Sequence, residues 1–318
     1  MENSALSSTS SSGSPSSTAP KSLWPWIFNN ERGLRVGWRL AIYVAVAFAL
    51  WIGFMILLTS TLPPSRNPWI LLGGESLSFA AAFGAAVLMS SIERRPIGTY
   101  GLPLRGAFGK PFWMGCLVGL AEISLLMTLI AAFGGYSFGH VVLRGSALFN
   151  MAVAWAIFFV VVGLLEEFLF RGYTQFTLAD GIGFWPAAIA LSVSFGLVHL
   201  RNEGESLAGV AGVVAIGLVF CFALRRTGNL WFCVGLHAAF DYGETFLFSV
   251  PDSGYLFDGH LSSATLKSGP VWLTGGQAGP EGSIFSFLTI ALVALLIHFL
   301  FPAKPRPAPE TASAVATQ

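Results

Sequence analysis

Three short motifs place acids, histidines and an arginine within or beside long apolar runs of this sequence. Carboxylates and imidazoles are the side chains that most often transfer protons in general acid–base catalysis. In an apolar setting they need polar partners or a water-filled cavity, because a charged side chain at the centre of a bilayer costs roughly 2.5–3.5 kcal/mol on insertion scales. The motifs hold Glu166, Glu167 and Arg171 in EEFLFR, His199 in FGLVH, and His237 and Asp241 in HAAFD.

The first motif contains two adjacent carboxylates, of which one can pair with an arginine and the other cannot. Glu167 and Arg171 are four positions apart, the spacing at which a carboxylate and a guanidinium can pair on a helix. Glu166 points about 100° away around the same helix and is left unpaired. One carboxylate held by arginine and one left free would suit a general base. The alternative is an ordinary ion pair at a solvated helix end.

The two histidine motifs also allow two interpretations each. A lone histidine such as His199 on an apolar helix can simply be a packing residue. His237 and Asp241 share one helix face, so the carboxylate could orient the imidazole or both could contact one ligand. They could equally form a buried pair that holds helices together. Acids and histidines on several helices can nevertheless converge on one point in a bundle, which is how bundles build their sites.

The composition identifies a membrane protein. Apolar residues make up 54% of the 318 residues and charged residues only 10%, against roughly 25% charged in soluble domains. A net charge of +1 gives no electrostatic reason to expect a nucleic-acid partner. The three cysteines, Cys116, Cys221 and Cys233, have no CxxC spacing, which argues against a disulfide framework or a thiolate zinc site.

The apolar runs predict an all-α, polytopic transmembrane helix bundle of about eight spans. Each span needs about 20 apolar residues. The run at 183–199 is short, so it either crosses the bilayer or forms a re-entrant or interfacial helix. The predicted spans are 38–60, 69–91, 112–133, 147–168, 183–199, 205–224, 229–249 and 283–301.

The distribution of basic residues predicts the orientation. With eight spans, four of the seventeen Lys and Arg residues (Arg66, Arg144, Arg201 and Lys267) fall on one side of the membrane and thirteen on the other. The positive-inside rule makes the richer side cytoplasmic. We therefore expect an integral plasma-membrane protein with both termini in the cytoplasm.

The chain divides by composition into six regions. The ends are rich in Ser, Thr, Pro or Ala and cannot bury a core, so both are predicted to be disordered. The first of them lacks the apolar region of a signal peptide. The regions are a tail (1–30), N-terminal transmembrane helices (31–145), core helices (146–250), a loop (251–282), the last transmembrane helix (283–303) and a second tail (304–318).

The order of the motifs resembles a known family. EExxxR at Glu166–Arg171, FxxxH at Phe195–His199 and HxxxD at His237–Asp241, on successive apolar segments, are similar to the type II CAAX prenyl endopeptidases and bacteriocin-processing (CPBP, Abi) intramembrane metalloproteases. The likeness covers about residues 150–245, and Tyr100–Pro103 looks like the family's approach to its core. The resemblance implies a helical membrane protease with a cavity that opens to the cytoplasm.

The resemblance also implies roles for the motif residues. Glu166 and His199 would activate the attacking water. His237 and the residue at position 241 would stabilise the oxyanion of the tetrahedral intermediate. Glu167 and Arg171 would support the site.

One position departs from the family pattern. Many members have Asn where this chain has Asp241, and an ionised aspartate would repel an oxyanion. Asp241 must therefore be protonated, orient His237 or bind a metal. In the last case His199, His237 and Asp241 would match the three protein ligands of a catalytic zinc or similar divalent metal. An HExxH motif is absent from the sequence, and metal dependence stays open.

The sequence as a whole favours an endopeptidase that cleaves membrane-embedded or membrane-anchored peptides or proteins within the lipid bilayer. Transport or proton relay is the first alternative, supported by further acids at Glu75 and Glu122 but not by any inverted repeat. A non-catalytic immunity or binding protein on the same scaffold is the second. Except for Asp241 in place of Asn, every motif position is filled.

Overall fold

A computed structural model describes residues 28–30, 33–63 and 65–302. The predicted disordered tails, 1–30 and 304–318, lie outside the described residues apart from 28–30. Almost all regular structure in the described part is helical, and the strands are two residues long. The helices are α1 (Val36–Thr61), α2 (Pro68–Glu93), α3 (Lys110–Ala132), α4 (Gly145–Arg171), α5 (Tyr173–Ile182), α6 (Phe184–His199), α7 (Leu207–Thr227), α8 (Trp231–Tyr242), α9 (Val271–Thr274) and α10 (Ile284–Leu300). The strands are β1 (Asn29–Asn30), β2 (Gly33–Leu34), β3 (Tyr136–Ser137) and β4 (Thr265–Leu266), with 3₁₀ turns at Ile97–Tyr100 and Pro280–Gly282.

The helices have the length and composition of a membrane protein. Five segments of the described chain are long and apolar enough to cross a bilayer: α1, α2, α3, α7 and the stretch Gly145–Ile182 that contains α4 and α5. The apolar helices α6 and α10 are shorter, and α8 continues into a π-helix at Gly243–Leu247. The predicted fold class, an all-α polytopic helix bundle, is confirmed.

The surface of α1 carries the signature of lipid contact. Val44, Phe48, Ile56 and Leu57 are all more than half exposed. A helix that is apolar around its whole circumference has no polar face to present to water, so it is stable only in protein or lipid. These side chains therefore belong in the hydrocarbon of the membrane.

Most of the positive charge gathers at one end of the bundle, here called the basic end. It comprises the start of α1, the loop between α2 and α3, the junctions around α5, the turn between α7 and α8, and the end of α10. Backbone contacts join these parts: Leu230 N–H donates to the Gly101 carbonyl at 2.8 Å. The Trp231 indole N–H donates to the Pro103 carbonyl at 3.0 Å.

An ionic network fixes three helices at the basic end. Arg39 of α1 contacts Glu93 of α2 and lies 3.0 Å from Asp180 of α5, which also pairs with Arg95 at 2.9 Å. Tyr100 donates its hydroxyl to Glu93 at 2.9 Å. Burial and this hydrogen bond raise the pKa of Tyr100 to about 12, so the phenol remains a donor at neutral pH.

The opposite end, here called the loop end, is built from the connections α1–α2, α3–α4 and α6–α7 and from residues 248–283. Strands β3 and β4 pair there in antiparallel register, with Tyr136 opposite Leu266. Gly254 N–H donates to the Ala278 carbonyl at 2.8 Å. The predicted loop 251–282 is therefore ordered, with α9, β4 and a 3₁₀ turn within it.

Helix α6, which the sequence left open as a crossing or re-entrant segment, runs from one end of the bundle to the other. At its start, the Arg225 guanidinium lies 5.1 Å from the centre of the Phe184 ring at the basic end. After its last residue, His199, the chain reaches Gly204, which packs against Gln277 at the loop end. Its 16 residues span about 24 Å. The structure thus favours the crossing.

Helices α3 and α8 pack through glycines. A Cβ atom on Gly115 would lie 2.1 Å from the Phe232 carbonyl oxygen, and one on Gly119 would lie 2.2 Å from the Leu236 carbonyl oxygen. On the facing side, a Cβ on Gly235 would lie 2.1 Å from the Phe112 carbonyl oxygen. Small residues allow this close backbone approach between membrane helices. The contact fixes the depth and rotation of α8.

Gly119→Ala should destabilise the bundle. Because backbone atoms occupy the space that the new methyl group needs, the helices must separate, and overpacking of this kind typically costs about 1–3 kcal/mol. Thermal unfolding in detergent measures the loss. Gly53→Ala in α1 is the matched control, since a Cβ there would meet no described atom within 4 Å outside the adjacent backbone of its own helix. Equal melting temperatures for the two variants would contradict the packing described here.

Candidate active site

A cavity of about 900 Å³ enters the bundle and brings the three motifs together. Glu166 of α4, His199 of α6, and His237 and Asp241 of α8 all line it. The intramembrane acids Glu75 and Glu122, noted in the sequence as further acids, line the same cavity.

The cavity opens at the loop end. The expectation of a cytoplasmic opening and the expectation that the basic end is cytoplasmic therefore cannot both hold, because the mouth and the basic end are opposite one another. The exposed residues of the cavity lining are Arg66, Val198, Glu203, Tyr255, Leu256 and Gln277.

Arg171 and Glu167 form the ion pair that their spacing predicts. Their side chains are fully buried, and Arg171 Nη1 lies 3.0 Å from Glu167 Oε1. The guanidinium carbon also lies 4.3 Å from the ring centre of Phe195 and 5.3 Å from that of Phe220. Arginine over an aromatic face gains a cation–π attraction. The phenylalanine of the FxxxH motif thus contacts the arginine of the EExxxR motif.

His237 is held by the same carboxylate. Its Nδ1 lies 3.0 Å from Glu167 Oε1, and because an ionised carboxylate only accepts, the imidazole donates. The ring stacks on Phe220 with a centroid distance of 5.5 Å. Its Nε2 is left 3.3 Å from Asp241 Oδ2 and 3.6 Å from Glu166 Oε2. Glu167 therefore orients His237 as a carboxylate orients a catalytic histidine elsewhere.

Glu166 is the carboxylate that Arg171 does not engage. Its side chain is 30% exposed, and in the described part of the chain it forms no hydrogen bond. Its nearest charged partner is His237, at 3.6 Å, rather than His199. The predicted division of the two glutamates, one held and one free, agrees with this arrangement.

His199 is fixed by its own helix. Its Nδ1 lies 2.8 Å from the Phe195 carbonyl oxygen, and the Phe195 ring packs edge-on against the imidazole at 4.6 Å. Because a carbonyl oxygen accepts, Nδ1 donates, and Nε2 stays free to bind another group. Across the described residues, His199 has no direct hydrogen bond to Glu166 or His237. Cooperation with Glu166 would need a water molecule between them.

The predicted zinc ligands do not fit one ion. His237 and Asp241 lie close enough, but the ligand atoms of His199, His237 and Asp241 do not all come within 4.8 Å of one another. Ligands to one zinc at about 2.0–2.2 Å must be closer than that. His199 stands on a different helix, with its Nδ1 committed to the backbone. No catalytic step is therefore assigned to zinc.

A cluster that the sequence interpretation missed lies next to the motifs. Carboxylate oxygens of Asp241, Glu244 and Asp252 lie within 4.8 Å of one another. Glu244 follows Asp241 by three positions, a helical spacing that could have revealed it. Asp252 lies in the predicted loop, and its neighbours in sequence give no signal of its position.

Arg171→Met should strongly destabilise the protein, because it leaves Glu167 as a buried carboxylate without its cation. Removing one partner of a buried ion pair typically costs about 3–5 kcal/mol. Thermal unfolding in detergent measures the loss, and Arg225→Met, which removes an exposed arginine from α7, is the control. An Arg171→Met protein as stable as the control would show that the ion pair is dispensable.

Comparison with known proteins agrees with the motifs. Residues 147–243 match the family model described as "Type II CAAX prenyl endopeptidase Rce1-like", which is 97 of the 318 residues. No curated protein and no solved structure matches the chain. The matched segment runs from the first turn of α4 to the start of the π-helix and contains all the motif residues. In general terms, the match supports a membrane-integrated protease of the CAAX type. The predicted resemblance is confirmed: residues 147–243 are similar to the Rce1-like type II CAAX prenyl endopeptidases.

Proposed function

We propose that this protein is an intramembrane endopeptidase that hydrolyses membrane-embedded or membrane-anchored peptides within its cavity. One observation carries the proposal: Glu166, His199, His237 and Asp241, from three separate helices, line a single cavity of about 900 Å³. That volume lies within the range of substrate pockets, roughly 300–1,000 Å³. The family match of the same segment supports the same activity.

Glu166 is the proposed general base. It takes a proton from a water molecule while the water oxygen bonds to the peptide carbonyl carbon, and it returns that proton to the leaving amine as the C–N bond breaks. His199 would hold the water through its free Nε2. A carboxylate without a fixed partner is suited to this exchange, because the proton it receives must leave again in the same turnover.

His237 is the proposed stabiliser of the oxyanion. Glu167 fixes the ring so that Nε2 faces the cavity. Because Nδ1 already donates to Glu167, a hydrogen on Nε2 as well makes the ring an imidazolium, which would donate to the oxyanion of the tetrahedral intermediate. Asp241 lies 3.3 Å from that same nitrogen and is assigned to orienting His237; because an ionised carboxylate there would repel the oxyanion, Asp241 must be protonated or have its charge compensated when the oxyanion forms. This role accommodates aspartate where many family members have asparagine.

The distribution of basic residues supports an orientation for this site. Of the described Lys and Arg residues, nine lie at the basic end and four, including Arg66 and Lys267, at the loop end. By the positive-inside rule, we propose that both termini are cytoplasmic and that the protein resides in the plasma membrane. The cavity would then open to the outer face, opposite to the opening that the family resemblance implies.

Transport or proton relay remains the rival function, because Glu75 and Glu122 also line the cavity. The exposed lining residues gather at the loop end, so within the described chain the cavity is accessible from one end. An opening at one end argues against a continuous channel, and the flux measurement below separates hydrolysis from transport by alternating access. If the protein is instead a non-catalytic binding protein, replacing Glu166 should leave the binding of its partner unchanged.

Glu166→Gln should reduce cleavage by about 10²–10⁴-fold, the usual contribution of general acid–base catalysis. Peptides recovered from membranes of cells with the wild-type or variant protein, compared by mass spectrometry, measure the activity. Glu205→Gln is the matched control: Glu205 accepts a hydrogen bond from Ser206 N–H through Oε1, an acceptor that glutamine retains.

Identical peptide profiles for wild type and Glu166→Gln, at equal expression, would refute the catalytic role of Glu166. Proton or ion flux into sealed vesicles that disappears in Glu166→Gln but not in Glu205→Gln would instead identify a transporter.

Single cysteines should reveal which face the cavity opens to. Asp258→Cys lies in the exposed loop at the loop end, and Leu104→Cys, where the native side chain is 86% exposed, lies at the basic end. A membrane-impermeant maleimide should label Asp258→Cys in intact cells but Leu104→Cys only after permeabilisation. The parent protein controls for Cys116, Cys221 and Cys233. The reverse pattern would place the cavity mouth in the cytoplasm.

A further inference from the structure

Three carboxyl groups face one another beside the proposed active site. Asp241 lies near the end of α8, Glu244 in the π-helix that follows, and Asp252 in the loop beyond it. Their oxygens come within 4.8 Å of one another. All three side chains are buried, with exposures of 6%, 0% and 8%.

The Glu244 side chain has no hydrogen-bond partner among the described residues. Both of its carboxyl oxygens are buried, and neither forms a hydrogen bond in the described part of the chain. The backbone at Gly279, which has a φ of +112°, covers this side chain, and a Cβ there would lie 3.3 Å from Glu244 Oε1. Burying a polar group without a partner is unfavourable, so the two free oxygens of Glu244 point to a ligand that is not part of the chain.

The surroundings of the cluster do not balance its charge. Among the described residues, no lysine or arginine forms an ion pair with Asp241, Glu244 or Asp252. His237 is 3.3 Å from Asp241, but the same ring also faces Glu166 and Glu167. One imidazole shared among several carboxyl groups cannot balance the charge of all three, so the ionised cluster would need a further cation.

We propose that Asp241, Glu244 and Asp252 bind a hard divalent cation of the Ca²⁺ or Mg²⁺ class. Carboxylate oxygens from three residues form the donor set that such cations prefer, whereas zinc favours nitrogen and sulfur. Glu244 supplies two free oxygens, and the Thr245 hydroxyl donates to Asp252 Oδ2 at 3.2 Å, which orients that ligand.

The cation would join the end of α8 to the loop that forms the cavity mouth. Asp241 and Asp252 both line the cavity, and Glu244 closes the cluster from behind. Binding would therefore stabilise the loop end and fix Asp241, which in turn contacts His237. This inference goes beyond the proposed hydrolysis and does not depend on it, because the ligands can bind a cation whether or not the cavity cleaves peptides.

Calorimetric titration of the purified, EDTA-treated protein in detergent tests the site, with CaCl₂ and MgCl₂ as separate probes near neutral pH. We expect one cation per chain and a higher melting temperature in its presence. Glu244→Gln and Asp252→Asn should each weaken binding by about tenfold or more, because each removes a charged ligand. Asp258→Asn, an exposed aspartate in the same loop, is the matched control and should bind as wild type does.

The outcomes separate this inference from the proposed activity. Glu166→Gln should bind the cation normally while losing hydrolysis, so failure of one assignment leaves the other intact. No saturable binding of either cation up to about 10 mM, which is above the weakest protein calcium sites, would overturn the inference. Binding that Asp252→Asn leaves unchanged would also overturn it, and this variant decides the matter if Glu244→Gln does not fold.

Discussion

The buried ion pair between Arg171 and Glu167 is the interaction on which the site depends. Arg171 brings its charge into the bundle and contacts rings from α6 and α7, while Glu167 accepts from both Arg171 and His237. The Glu167 carboxylate on α4 therefore fixes where the His237 imidazole on α8 lies. Two charges out of water need this many favourable contacts, because desolvation otherwise exceeds their attraction. The main role of the ion pair is therefore to position the residues of the three motifs relative to one another.

Backbone packing completes what the ion pair begins. The glycine contacts between α3 and α8 hold the two backbones close together and so fix the position of α8. In that position His237 lies at hydrogen-bond distance from Glu167. At the basic end, Arg39 and Glu93 join α1 to α2. Ion pairs between side chains thus join the helices at the basic end, and glycine contacts join α3 to α8. The loop end forms the entrance to the cavity. A rigid frame with an open entrance is how folds usually present reacting groups.

The sequence predicted the fold class and the neighbours of the ion pair because both follow from local rules. Apolar runs mark spans, and i,i+4 spacing places Glu167 beside Arg171 and His237 beside Asp241. Such local rules do not predict contacts between segments that are far apart in the sequence. The hydrogen bond from His237 to Glu167 depends on the rotation of α4 and α8 about their axes. The distance from His199 to the other two predicted zinc ligands, His237 and Asp241, depends on where α6 lies. Asp252 was missed for the same reason, since a loop that folds back into a cavity has no periodicity.

The lining of the cavity has a consequence for what can enter it. Among the described residues, seven of its side chains are acidic, and Arg66 and two histidines are the basic ones. In so poorly solvated a space, burial favours the neutral form of a carboxyl group, so these acids do not carry a full surplus of negative charge together. An entering positive charge would favour their ionisation, so the lysine- or arginine-bearing flank of a membrane segment would be accommodated at lower cost than an anionic lipid headgroup. If the cavity takes in membrane segments as proposed, the charge at their flanks affects how readily they enter.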